Sequence, residues 1–257
     1  MLVYDIGLHD GGDTGHYLRE GCRVVAVDAN PQMCSAAEAN FRDYIRDGQL
    51  RIINRGVAEG NGQLEFWVCD DVSEWSSFHR RVASRNGAKH HAVVVDCIPI
   101  SEIIAEFGVP DYMKIDIEGN DRICIAGLNT STAPQYISIE MDHSRGDEDI
   151  ERLLALGYRG FKVICQNNSW QQATTSNIGF YKRGPGYFAV RPIVKLRRLF
   201  GRISGRRLGE SGPWGEKTSG SWHSVDHTRA VWRSLHEFDK ALGAQGLGWW
   251  WDIHARK

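Results

Sequence analysis

Two short apolar runs near the start of the chain, Leu2-Val-Tyr-Asp-Ile6 and Cys22-Arg-Val-Val-Ala-Val27, restrict its fold more than any other feature. Between them lie the loop Gly7-Leu-His-Asp-Gly-Gly-Asp-Thr14 and a helix-like segment to Glu20, and the second run ends in an acid, Asp28. Strand, tight loop, helix and strand make the β-loop-α-β unit of a nucleotide-binding fold. Glycines in such a loop let the backbone approach a ligand, and an acid about 20 residues on takes ribose hydroxyls. The spacing is not GxGxxG, so the loop alone fits a cofactor site or a structural turn equally. Asp28 favours the cofactor, because a lone surface acid has no need to close an apolar strand.

The alternation continues down the chain. Asn30-Pro31 opens a helix to about Phe41, and Leu50–Asn54 is the third strand. Asn61-Gly62 is a hairpin signal leading into Leu64–Val68. Residues 69–90 are polar and irregular, an insertion expected over the cofactor edge. Ala92–Val95 returns to the sheet, Pro99 starts a helix through Phe107, and Tyr112–Ile115 and Tyr136–Glu140 are the fourth and fifth core strands. A helix from about Glu148 to Leu156 ends at Gly157, a C-cap, and Tyr158–Cys165 is the sixth strand. Strands interleaved with helices imply a mostly parallel sheet covered on both faces.

Length and composition limit the class. The 257 residues suit one large domain or a domain with an appendage. No apolar run approaches the ~20 residues that span a bilayer. The first strand begins at residue 2, which predicts neither a secretory leader nor an N-terminal cap domain. Six scattered cysteines without a CxxC pair predict reduced, buried thiols in a cytoplasmic protein. A net charge of −1 argues against a general nucleic-acid binder.

The chemistry concentrates at Lys114-Ile-Asp-Ile-Glu-Gly119, where an apolar strand stops and a glycine opens the next turn. That is the edge at which α/β sheets bind ligands, and carboxylates near a core are costly unless paired. Period-2 alternation predicts Asp116 and Glu118 on one side for as long as the strand geometry lasts. Asp116 is then a general base, a cofactor contact or a metal ligand; its structural alternative is to pin the following turn through backbone N–H groups. Lys114 is the candidate buried counter-ion. Glu140, Asp142 and His143 end the neighbouring strand, and His143 titrates near neutrality. With Asp116 these three offer a set for a hard divalent ion, although nothing in the spacing compels a metal.

Taken together, Asp5-Ile-Gly7 with its loop, Val24-Val-Ala-Val-Asp28, Asp96 before a helix and Lys114-Ile-Asp-Ile-Glu-Gly119 resemble the FkbM family of S-adenosylmethionine-dependent methyltransferases. His9-Asp10 departs from the small or amide residues more usual there. Gly157–Gln166 and Ser211-Gly-Pro-Trp-Gly-Glu216 also resemble segments of such enzymes. The resemblance implies a class I methyltransferase (Rossmann-like) sheet of seven strands, the last antiparallel, with helices on both faces. It implies methyl transfer to an oxygen of a sugar or glycan, or alternatively of a polyketide or other secondary metabolite. Asp5, Gly7 and Gly12 would meet the methionine portion of the cofactor, Asp28 the ribose, Ala29 and Asn30 the adenosine, and Val57 and Ala58 the adenine. Catalysis would fall to Asp116, Glu118, Glu140 and His143, with Lys114, Trp214 and Glu216 toward the substrate.

The tail supplies the remaining expectations. A methyltransferase domain over residues 1–190 would be followed by a basic, Trp-rich extension over 191–257 that contributes to the substrate site. Seven of the nine tryptophans follow residue 169, and their flat faces suit sugar rings or the core of a small subdomain. Ile193–Arg207 interleaves basic and apolar residues as an amphipathic helix would. It fits peripheral contact with the inner membrane face, a lipid-linked or nucleotide-sugar acceptor, or simply a solvated face. Residues 208–221, rich in Gly and Ser, read as a gating loop. A nicotinamide-dependent enzyme shares the opening unit but not the second half of the chain. A non-catalytic nucleotide-binding protein on this fold would keep Asp28 and lose the acids at 116, 118 and 140.

Overall fold

Four apolar segments build the sheet of the N-terminal part of the molecule: β1 (Leu2–Ile6), β2 (Arg23–Asp28), β3 (Leu50–Asn54) and β7 (Tyr112–Ile115). The computed structural model describes residues 1–141, 145–166, 171–174, 178, 212–241 and 250–257. They divide into two compact units, Met1–Ile137 and Ser138–Lys257.

In the first unit the strand order is β7-β1-β2-β3. All three pairings are parallel, with Asp5 opposite Ala26 and Lys114, and Asp28 opposite Asn54. Covered on both faces, these strands are apolar without alternation: Val3, Tyr4, Ile6, Val24, Val25, Ala26 and Val27 are all buried. Helices α1 (Gly12–Arg19), α2 (Pro31–Asn40), α3 (Arg42–Arg46) and α5 (Ile100–Phe107) occupy the connections. The α2 helix starts where the sequence places it because Pro31 presets the first turn and the Asn30 side chain accepts the Gln32 N–H at 3.0 Å.

One strand departs from expectation. Ala92–Val95 does not return to the parallel sheet; it lies in β6 (His90–Ile98), the centre of a three-stranded sheet ordered β4-β6-β5, with β4 Gly56–Val57 and β5 Gly62–Cys69. Nor does Asn61-Gly62 close a hairpin between neighbours, since β4 and β5 flank β6 on opposite sides. The turn dipeptide reverses the chain, but the meeting of apolar faces decides the pairing. Phe66, Val68, Val95 and Cys97 form a cluster with Ala29 and Ala58. The connection from β5 to β6 contains a short helix α4 (Arg80–Ala83) and packs Phe78 against this cluster.

The second unit holds the last three residues of β8 (Tyr136–Glu140), α7 (Gly146–Ala155), β9 (Gly160–Cys165), β10 (Gln171–Gln172), a long helix α8 (Val225–Ala241) and β11 (Trp251–Arg256). Its strand order is β10-β9-β11-β8, with β11 antiparallel to β9. The last strand is thus antiparallel, as expected. The α7 helix carries Asp147, Glu148 and Asp149 in its first turn, where the helix dipole favours acids. Ion pairs Arg233–Asp147 (3.0 Å) and Arg229–Glu151 tie α8 to α7.

The division at 137/138 differs from the 190/191 boundary read from the sequence, because pairing with β9 draws the C-terminal strand β11 into one unit with it. Trp214, Trp232 and Trp251 are buried in this unit, whereas Trp250 is exposed. The basic segment 193–207 lies outside the described residues, as do Asp142, His143, Trp170 and Trp249. All six cysteines are free and buried. Among the described residues no helix is long and apolar enough to cross a membrane.

Candidate active site

The glycine loop follows β1 and is closed from three directions. Gly7 has φ +100° and donates its N–H to the Val27 carbonyl at 2.9 Å, while its own carbonyl accepts from Lys114 Nζ at 3.0 Å. A side chain cannot be accommodated here, since a Cβ on Gly7 would fall within bonding range of the Asp116 carbonyl oxygen and 2.8 Å from its carbon. His9, another left-handed residue (φ 48°), donates its N–H to Asp28 Oδ2 at 2.7 Å. The other oxygen of Asp28 accepts the Asn30 N–H at 2.8 Å. Asp28 therefore clamps the loop to the end of β2. Burial raises its pKa, while the N–H groups of Asn30 and His9 oppose the rise. Gly12 opens α1 and donates to Asp10 Oδ1 at 3.0 Å.

Beneath the loop sits an ionic cluster. Lys114 is almost wholly buried, with Nζ 3.4 Å from Asp5, 3.4 Å from Asp13 and 3.6 Å from Asp116. Burial pulls the lysine pKa down, but Asp5, Asp116 and Asp13 outweigh it and hold the group well above its ordinary value. The sequence reading of Lys114 as a buried counter-ion agrees with this geometry; its reading as a substrate contact does not, because its ammonium is spent on these partners. Asp5 is fully buried, accepts the Thr14 hydroxyl at 2.6 Å and is pushed up by burial to about 6 despite Lys114. Its Oδ1 is the oxygen that faces Lys114 Nζ. One cation facing three carboxylates leaves the cluster two negative charges in excess.

The strand geometry ends at Ile115, earlier than the alternation argument requires. Glu118 has φ 48° and Gly119 φ +114°, so a turn, not a continuing pleat, sets the direction of the Glu118 side chain. Asp116 and Glu118 nevertheless present carboxylate oxygens within 4.8 Å of each other. The carboxylate that pins the turn is Asp121, which accepts the Ile117 N–H at 3.2 Å and the Gly119 N–H at 3.1 Å. Burial and the neighbouring Asp116 raise Asp121 to about 6. Glu118 is pushed up further, to about 8, by burial and by Asp116, with Arg85 pulling the other way.

The 69–90 segment meets both loops. His9 Nε2 lies 2.8 Å from Ser73 Oγ, and the fully buried Ser77 donates to the Glu118 carbonyl at 2.7 Å. Arg85 Nη1 is 3.3 Å from Glu118 Oε2, and the His79 ring lies directly over Gly119. Sequence reasoning missed Asp13, Thr14, Ser77, His79, Arg85 and Asp121 as site residues. Asp121 carried a signal, an acid at the first position of α6 (Asp121–Ala126), where such residues favour the helix N-terminus. For Ser77, His79 and Arg85 no local pattern exists.

The other candidates have neighbours of their own. Asn30 caps α2, Ala29 and Ala58 belong to the apolar cluster, and the Val57 carbonyl accepts from Asn120 Nδ2 at 3.1 Å. In the second unit, Glu140 closes β8. Glu216 accepts from Trp222 Nε1 (2.8 Å) and Arg256 (2.7 Å), and Trp214 is buried beside it in the chain.

A family model described as the methyltransferase FkbM domain matches residues 5–163. No curated protein matches the chain. Among solved structures the chain is similar to an FkbM methyltransferase from Methylobacillus flagellatus, at 16% identity and TM-score 0.43, over 61% of this chain and 38% of that one. A precorrin-6y C5,15-methyltransferase from Geobacter metallireducens matches at 13% identity and TM-score 0.38, over 64% of this chain and 66% of that one. Haemonchus contortus phosphoethanolamine N-methyltransferase 2, in complex with phosphomonomethylethanolamine and S-adenosylhomocysteine, matches at 10% identity and TM-score 0.40, over 100% of this chain and 49% of that one. The chain thus spans less than two thirds of the length of each of these three proteins.

Proposed function

The chain belongs to the FkbM-domain family of S-adenosylmethionine-dependent methyltransferases, and from that premise we propose that it methylates a hydroxyl group of a sugar or glycan. The observation that carries the reading is the negative excess under the glycine loop, where Asp5, Asp13 and Asp116 face the single cation Lys114. Such a cluster attracts a cationic ligand. When bound, S-adenosylmethionine supplies a methyl group already activated on a sulfonium. Gly7 and the 8–12 loop would lie along its methionine portion and Asp28 at its ribose, using lone pairs that the two backbone bonds leave available.

The residues of the chain then have to align an acceptor oxygen and take its proton. Alignment can contribute several kcal/mol in such a transfer. Glu118 is the better base of the two carboxylates, because Asp116 is held by Lys114 whereas Glu118 is raised to about 8. A base tuned close to the working pH is the efficient kind. The metal reading rested partly on Asp142 and His143, which are not among the described residues.

Two outcomes are expected. Asp28→Ala should weaken S-adenosylmethionine binding by about ten- to a hundredfold, roughly 1.4–2.8 kcal/mol, measured by calorimetry; wild-type affinity in the variant would remove Asp28 from the cofactor site. Glu118→Gln should lower kcat by about a hundredfold or more and flatten the rise in rate expected of the wild type as pH passes through about 8. An unchanged profile in that variant would end the assignment of Glu118 as base. The function itself is tested by mass spectrometry of glycans, nucleotide sugars and polyketides incubated with enzyme and S-adenosylmethionine. Gain of one methyl on a sugar hydroxyl is the expected product, and methylation of the polyketides alone would transfer the assignment to secondary metabolites.

A further inference from the structure

The connection between β5 and β6 brings Arg85 to the rim of the Glu118 turn and leaves most of its donors uncommitted. A guanidinium offers five N–H donors. Arg85 spends its side chain on a single contact, Nη1 to Glu118 Oε2 at 3.3 Å, and 46% of that side chain is exposed. Four residues earlier, Arg81 is exposed and has no ionic or hydrogen-bonding partner among the described residues. The same holds for the ring nitrogens of His79, although the ring itself lies over Gly119. Arg80 is different: it lies over the Trp67 ring at 4.9 Å and reaches His90 at 3.4 Å, so it is occupied in holding the segment.

The segment is also anchored. Ser77 donates to the Glu118 carbonyl and accepts the His79 N–H at 3.0 Å, and its backbone bonds both ways with Trp67 at 2.9 Å. A residue fully buried and bonded on both sides is a fixed pivot, so His79 and Arg85 are presented at a set position beside Glu118.

We propose that residues 77–85 are the acceptor-recognition element of this site, and that Arg85 selects acceptors bearing an acidic group, a carboxylate or a phosphate, beside the hydroxyl to be methylated. This rests on the reading of Glu118 as the residue facing the acceptor hydroxyl. The charge arrangement supports it from both sides. Carboxylates in excess surround Lys114, where a cationic cofactor belongs, and the Arg85 guanidinium, with a single contact to Glu118, stands at the other rim, where an anion finds donors. Planar carboxylate and phosphate oxygens match the two-pronged donor geometry of arginine, which a lysine ammonium cannot reproduce. The Arg85–Glu118 contact, a single approach of 3.3 Å, is also weak competition for an anion that takes two donors at once.

The test is calorimetry on the full chain saturated with S-adenosylhomocysteine, titrated with glucuronate, glucose 1-phosphate and glucose. Glucuronate or glucose 1-phosphate should bind at least tenfold more tightly than glucose, and the preferred one identifies the acid. Arg85→Met should abolish that preference and Arg85→Lys should restore part of it, while S-adenosylhomocysteine binds all variants equally. Binding of cofactor product without any preference for the acidic sugars overturns the inference and leaves the methyltransferase reading standing. So does a preference that survives in the Arg85→Met variant. Failure of S-adenosylhomocysteine to bind the wild type overturns the cofactor reading, and this inference with it.

Discussion

Gly7→Ala should unfold the glycine loop and abolish cofactor binding, with a loss of stability of about 4 kcal/mol or more. Two costs combine. The residue sits at φ +100°, and a side chain in left-handed conformation costs roughly 1–2 kcal/mol. The added Cβ also meets the Asp116 backbone, with Ile117 Cγ2 at 3.2 Å. Backbone cannot step aside as a side chain tip can, because Gly7 is bonded to Val27 and Lys114 while Asp116 donates its N–H to Ile6 at 2.9 Å. Steric conflicts of this kind are among the few that reach the exceptional range for point changes. Gly21 provides the internal control: φ +80° with nothing within 4 Å of its Cβ position, so Gly21→Ala carries conformational strain alone. Urea unfolding of the two variants separates the effects. Equal destabilisation would mean that the loop relaxes freely and that close contact between Gly7 and Asp116 is not required.

Lys114→Met should destabilise the protein by about 3–5 kcal/mol at pH 7.5, the range for breaking a buried ion pair from one side. Three carboxylates would remain around an apolar side chain. The sign of the pH response follows from Asp5. Its folded pKa is already raised to about 6 with the lysine present, and removal of the cation raises it further. A carboxylate whose folded pKa exceeds its unfolded value adds stability below the unfolded pKa, near 3.8, and loses it as pH rises through the folded one. The variant should therefore recover relative to wild type on acidification, with the gap narrowing from pH 7.5 to pH 5. A gap that is constant with pH would show that Lys114 acts through packing of its alkyl stem and not through charge.

Both experiments address contacts between segments over a hundred residues apart, Gly7 against Asp116 and Asp5 against Lys114, and the sequence singled out these segments without showing that they touch. Strand runs and a glycine placed where the chain must turn are local properties, so β1, β2, β3, β7 and the loop were legible to within about a residue. The small β4-β6-β5 sheet was not, because 92–95 is apolar enough for either sheet and only the faces available to it decide. The tryptophans of the tail suited stacking on sugar rings or the core of a small subdomain, a distinction that composition cannot make; Trp214, Trp232 and Trp251 are buried in the second unit.

Local pattern determined the nucleotide-binding opening unit, Asp28 at its end and a charged turn at Lys114–Gly119, since backbone propensity and periodic burial act over a few residues. Tertiary structure decided what each charge does. Lys114 became the counter-ion of Asp5, Asp13 and Asp116, Asp121 became the clamp of the turn, and Glu118 was left raised in pKa beside Arg85. The reason is physical: the free energy of a charge depends on its burial and on the charges within a few ångströms, and those neighbours come from distant parts of the chain.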